Sequence, residues 1–249
     1  MTHMTMLSLI DAGLTPSPDN NLGIIGGQTV PIESHPYQVS LEAKGSYCSG
    51  AIIAENYVLT SAICAITIPK GFVKIRAGTS TREKGGTVHS VESIHPHNHF
   101  NPAKLENNIA LMRVKEPFIF DEFHQPASMY QSSETLDNGV HGNVTGWGWD
   151  KHLKSTHELQ MVNVPVVDKM TCKLLYKTAK LAVPEGVACA GNAVPGKGSP
   201  CLGDWGAPFV VDGRLAGIVS FTAGCGLIVL PAWYTEISQY RDWIDSVIR

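Results

Sequence analysis

Residues Cys201–Pro208 read CLGDWGAP. A cysteine and two glycines enclose an acid–tryptophan pair, and the run ends where a strand-like segment, Pro208–Val211, begins. A second such segment, Leu215–Phe221, follows directly. Working outward, short runs rich in β-branched or large apolar residues recur at Tyr37–Leu41, Ala51–Ile53, Tyr57–Thr60, Val73–Ala77 and Ile109–Val114, then at Gly142–Trp147 and Gln160–Val167. Turn residues bound them, drawn from 24 glycines and 15 prolines. Short strands at short intervals predict an all-β sandwich or barrel. Two stretches predict helices. Asp168 is a suitable N-cap for Lys169–Ala179. Ile237–Ile248 places Ile237, Tyr240, Ile244 and Ile248 on one face. Lys115–Asn138 has weak periodicity and reads as the connection between two β-halves.

The chain has 249 residues, enough to bury roughly 70–75% of its extended surface. Charged residues make up 16%, against a typical ~25%, which argues against a disordered chain. With 19 Lys+Arg and 22 Asp+Glu the net charge is −3, and a strongly basic nucleic-acid binder is excluded. No apolar run approaches the ~20 residues that span a bilayer, so no membrane partner is expected. The cysteines, at 48, 64, 172, 189, 201 and 225, are scattered and form no CxxC pair. That pattern disfavours a zinc ribbon and favours three disulfides in an oxidising compartment. Spacing alone leaves all of the roughly 15 connectivities open. The opening MTHMTMLSLIDAGLTPSPDNN lacks the basic flank of a signal peptide. Residues 1–23 are read as a leader and flexible pro-like segment, and residues 24–249 as the folded domain.

Several segments carry a family resemblance in order along the chain. They are Ile24–Gly27 (IIGG), His35–Leu41 (HPYQVSL), YCSGAII around Cys48, Tyr57–Cys64 (YVLTSAIC), Asn107–Leu111 (NNIAL), Gly146–Gly148 (GWG) and the opening CLGDWGAP. Together they resemble the chymotrypsin/trypsin-like serine proteases from Ile24 to Arg249. The resemblance implies two six-stranded antiparallel β-barrels packed face to face, with a C-terminal helix. It also implies the pairing Cys48–Cys64, Cys172–Cys189 and Cys201–Cys225.

The same alignment places the family's catalytic residues on altered positions. The histidine of "LTAAHC" falls on Ile63, the aspartate of "NDIAL" on Asn108 and the serine of "GDSGGP" on Trp205. The family chemistry needs a hydroxyl nucleophile, an imidazole to take its proton and a carboxylate to orient and stabilise that imidazole. None of those groups is present. The oxyanion-hole glycine is retained as Gly203. The base of the primary specificity pocket is Ser199, so no carboxylate recruits Lys or Arg, and Thr222 and Ala232 replace the wall glycines and narrow the slot. Asp204 is retained as the partner of an Ile24 amine, but Gly23 stands where an activating protease needs Arg or Lys.

The remaining histidines (His35, His89, His95, His97, His99, His124, His141, His152 and His157) fall on no triad-equivalent position. His95, His97 and His99 alternate along an extended segment, a pattern that can converge on a metal, although the resemblance implies a structural His-Pro there and no metal or cofactor is expected. Asn143–Thr145 is a glycosylation sequon in an expected core strand, and so is expected unused. Lys169, Lys173, Lys177 and Lys180 fall on one helical face and form a candidate site for an acidic partner. Within the family, the chain is most similar to the scabies-mite inactivated protease paralogues, related to mite group 3 allergens. That resemblance implies a secreted gut protein that meets host serum and interferes with complement; a monomer is expected. The competing expectation is a decoy that protects substrates or occupies protease inhibitors, which requires an open cleft.

Overall fold

A computed structural model of the protein describes residues 24–249, apart from 44–45, 150–153, 155, 193, 195–196, 224 and 226–229. The leader and pro-like residues 1–23, and His152, lie outside the described residues. Two barrels account for most of the rest. The first closes in the order β2 (Gln38–Ala43), β3 (Ser46–Ala54), β4 (Tyr57–Thr60), β7 (Ala110–Val114), β6 (Thr87–Pro96), β5 (Lys74–Ala77), with every pairing antiparallel. The second uses β8 (His141–Gly146), β9 (Gln160–Val167), β10 (Val187–Ala190), β13 (Ala232–Glu236), β12 (Arg214–Phe221) and β11 (Pro208–Val211). It closes because β8 pairs with both β9 and β11. The two-residue β1 (Gln28–Thr29) adds to the rim of β9.

Alternation along the strands fills each barrel. Val39, Leu41, Ile52, Val58, Ile75, Ala110 and Met112 meet inside the first. Val144, Val162, Val164, Phe209, Ala216, Val219 and Tyr234 meet inside the second. The residues facing outward are not wasted on solvent. Ala51, Ile53, Leu59, Ile109 and Leu111 from the first barrel join Val210, Leu215 and Ile218 from the second, and Ile237, Tyr240 and Ile244 from the C-terminal helix α3 (Ile237–Ile248) seal the joint. This third cluster cements the two halves and leaves their seam running beside β3, β4 and the 201–206 loop.

Sequence reading misses β1, β6, β10 and β13 and the short helix α1 (Ala62–Thr67). In β6 the register shifts between Val91 and Ser93, so its apolar residues fall three apart and the period-two signal disappears. β10 reads Val-Ala-Cys-Ala, too small to announce a strand. The disulfides are Cys48–Cys64, Cys172–Cys189 and Cys201–Cys225. Each contributes roughly 2–4 kcal/mol, chiefly by constraining the unfolded chain.

Helix α2 (Lys169–Thr178) starts as expected, with the Asp168 carboxylate accepting from Thr171 N at 2.9 Å. Its end differs from expectation. Lys180 has left the helix and adopts a left-handed φ of 58°. Leu181 N donates to Tyr176 O and Lys180 N to Lys177 O, the paired bonds of a Schellman closure. A lysine thus occupies the position where glycine is preferred. Replacing it with glycine removes the side-chain penalty of the left-handed region, so Lys180→Gly is expected to raise stability by about 1 kcal/mol in denaturant melts.

Candidate functional site

The site is built around one buried carboxylate. Asp204 is fully buried in the 201–206 loop. Its Oδ1 accepts from Gly148 N at 2.9 Å and its Oδ2 from Cys201 N at 2.9 Å. Those two amides are its hydrogen-bond partners among the described residues. A Cβ at Gly146 would lie 2.3 Å from Oδ1 and one at Gly148 2.2 Å from Oδ2, so both glycines of the GWG motif exist to admit this carboxylate. Burial pushes Asp204 up to about 7, against the pull of the two amides. Ile24 is also fully buried, in the core of the second barrel, and Ile25 bridges to Ser199. Joined to Gly23, the Ile24 nitrogen is an amide and brings no positive charge to Asp204.

The next residue, Trp205, is the one that the resemblance aligns with the family's nucleophile. The half-buried Trp205 ring packs against the core clusters of both barrels. It lies in the seam between them. Its carbonyl accepts from Ser49 N at 2.8 Å, tying the loop to β3. Gly206, at φ +78°, comes so close to the Ser49 carbonyl and the Thr60 hydroxyl that a Cβ would stand 2.3 Å from each. Thr60 Oγ1 in turn donates to Ser49 O at 2.7 Å.

Ile63 and Asn108 are brought together beside this loop. Asn108 is buried, and its Oδ1 accepts from Ile63 N at 2.9 Å while its Nδ2 donates to Ser220 Oγ at 2.9 Å. Thr235 Oγ1 donates to the Asn108 carbonyl. Asn108 thus satisfies both ends of its amide in a structural role, without charge. The Ile63 side chain packs at the margin of the first core. The partnership with Ser220 escapes sequence reading, because the two residues are 112 positions apart.

Gly203 holds a left-handed φ of 91° with Gly148 and the Trp149 ring close by. Ser199 is buried and spends its hydroxyl on the Pro200 carbonyl, at 3.0 Å. Ala232 is buried opposite Ala190. The β12–β13 register ends at Phe221–Trp233, which brings Thr222 level with Ala232 one residue further on. Two surface cavities, of about 340 and 190 Å³, lie away from these residues, one beside β2 and β5 and the other beside the start of α2.

The three imidazoles of the 95–99 segment do not converge. His95 Nε2 meets Ser93 Oγ at 2.8 Å, and His97 packs on Tyr240 and Trp243 of α3. Among the described residues no group of three metal-ligating side chains occurs. The lysine stripe is also altered. Lys169 and Lys173 both clasp Glu185, at 2.8 and 2.9 Å, and hold its carboxylate down to about 2. Lys180 is off the helix. Glu185 lies 12 residues beyond Lys173, so nothing in the helical periodicity announces the clasp. In β8 the Asn143 side chain accepts from Asn163 Nδ2.

The trypsin family model matches residues 24–244. The chain belongs to the trypsin family. It is 32% identical to a vitellin-degrading protease of Bombyx mori, covering all of this chain and 96% of that one. It is also 32% identical to trypsin epsilon of Drosophila erecta, over 96% and 92%. The crystal structure of a scabies mite inactivated protease paralogue superposes with a TM-score of 0.84 at 26% identity, covering 90% of this chain and 97% of that one.

The buried acid has a measurable signature. The native state holds the Asp204 proton up to about pH 7, whereas an unfolded aspartate releases it near pH ~4. The neutral acid's contribution to stability is complete below the unfolded value and is lost as pH rises to the folded one. Urea melts of the wild type should lose stability between roughly pH 4 and 7, and Asp204→Asn, which stays neutral, should flatten that part of the profile.

Proposed function

We propose that this trypsin-family chain is a catalytically inactive protease homologue that acts as a secreted binding protein and interferes with host complement. The observation that carries the reading is the tryptophan at the nucleophile position, seated in both barrel cores beside an isoleucine and a neutral amide. An indole N–H donates and cannot attack a carbonyl, and isoleucine cannot take a proton. Loss of serine or histidine alone removes about 10⁶ in turnover, and losing the rest adds little because the groups act as a unit. The resemblance to an inactivated mite paralogue supports the same reading. Three disulfides support an extracellular setting. The decoy reading is weaker, since it needs a cleft open to an inhibitor's side chain.

The purified protein should hydrolyse no peptide or ester substrate, with turnover at the level of buffer. Trp205→Ser should not restore it, because position 63 still lacks a base. That variant should also lose about 2–4 kcal/mol of stability, from the volume removed at the barrel seam. Turnover that survives repurification and disappears with a serine-directed inhibitor would refute inactivity.

For the binding surface, α2 remains the candidate, with a changed composition. Lys177 and Lys180 have no ion-pair partner among the described residues, while Met170 and Leu174, one turn apart, are 75% and 65% exposed. Exposed apolar area rimmed by charge marks interaction sites, and the unpaired lysines favour an acidic partner. In a haemolysis assay with human serum, the wild type should inhibit complement. Lys177→Glu with Lys180→Glu should weaken inhibition about tenfold and reduce its salt dependence, while Lys169→Ala should change little. Absence of inhibition by the wild type would remove the complement role. Equal potency of wild type and double reversal would move the surface elsewhere.

A further inference from the structure

Thr87, at the start of β6, carries one hydroxyl that two imidazoles share. His89 Nε2 lies 2.8 Å from Thr87 Oγ1 and His124 Nε2 lies 3.0 Å from it. The other nitrogen of each ring is already committed. His89 Nδ1 is 2.8 Å from the Glu116 carbonyl oxygen, which can only accept. His124 Nδ1 is 2.8 Å from Asp121 Oδ1, an oxygen that also accepts from the backbone N–H groups of Phe123 and His124. Both Nδ1 atoms therefore carry hydrogen. A neutral ring of that tautomer has a bare Nε2, so two lone pairs would face a hydroxyl with one hydrogen to give. One of the contacts needs a second proton.

We propose that Thr87, His89, His124 and Asp121 form a proton-dependent clasp, complete when one ring is an imidazolium, that fastens the inter-barrel connection to the first barrel. The surplus proton sits on His124, where the Asp121 carboxylate compensates its charge. The Thr87 hydroxyl then donates to His89 and accepts from His124. Among the described residues Asp121 is the one charged side chain in hydrogen-bond contact with either ring. The Phe118 ring stacks on His89 with centroids 4.4 Å apart. Gly78, at φ +72°, admits the His124 ring where a Cβ would stand 2.3 Å from Nε2. Both rings are buried, so water cannot readily replace the missing hydrogen. Thr87 and His89 belong to β6, whereas Glu116, Asp121 and His124 belong to the chain that leaves the first barrel for the second. With the surplus proton both contacts to the Thr87 hydroxyl are made, and without it one of them is lost.

Two measurements on the intact protein test this. The first is side-chain nitrogen NMR at pH 5.5, which should show one of the two rings protonated on both nitrogens and the other carrying hydrogen on Nδ1 alone. Two neutral rings with both Nε2 contacts retained would overturn the proposal. The second is amide hydrogen exchange over residues 116–125, corrected for the intrinsic pH dependence. Its local readout separates it from the titration of Asp204, which lies in the 201–206 loop. Wild-type protection should fall at least tenfold from pH 6 to pH 8.5. In His89→Phe one acceptor is gone, Thr87 donates to a neutral His124, and protection should no longer depend on pH. Protection that is flat in the wild type, or equally pH-dependent in His89→Phe, would overturn it.

Discussion

The Asp204 carboxylate, docked on the Gly148 and Cys201 amides, is the constraint that the rest of the site depends on. It fixes the 201–206 loop against the edge of β8, and the fit is close enough that neither Gly146 nor Gly148 can bear a side chain. Once Asp204 is in place, the following residues have little freedom. The Trp205 carbonyl reaches Ser49, and Gly206 passes against Thr60. The loop crosses from the second barrel to the first, and the residue at its tip must enter the seam between them.

This explains how a protease scaffold survives the replacement of its chemistry. The loop is held by backbone hydrogen bonds and glycine contacts that do not involve the side chain at position 205. A tryptophan there gains contact with both cores, in exchange for one buried indole N–H that has no partner among the described residues. Asn108 is likewise held in place, accepting from Ile63 N and donating to Ser220 Oγ, and carries no charge. The altered side chains sit on a backbone that keeps the trypsin-like fold. The third apolar cluster, where both barrels meet α3, lies away from the loop and is untouched by the changes.

Much of this was legible in the sequence, for physical reasons. GWG and GDWG are two halves of one contact between a carboxylate and two glycines, so their joint presence announces the loop. β9 and β12 are visible because large apolar residues recur along them and a turn residue marks one end of each, Asp168 after β9 and Asp212–Gly213 before β12. What stayed hidden depends on neighbours distant in the chain. β6 loses its alternation at a bulge, and β10 is built from small residues that make sense only beside β13. The lysine periodicity of α2 was visible, but the Schellman turn at Lys180 and the Glu185 clasp were not. Both are decided by backbone closure and by a residue outside the helix. The ring of Trp205 could be placed at the nucleophile position from sequence, yet its direction, into the seam, needed the packing of both barrels.

We infer that Trp205, packed against both barrel cores, leaves no open protease-like binding site among the described residues. Calorimetric titration with a substrate-mimicking protein inhibitor of trypsin, one that inserts a side chain into the primary specificity pocket, tests it most directly. The account predicts no saturable heat up to the highest soluble concentration. A complex of micromolar affinity or tighter would contradict it.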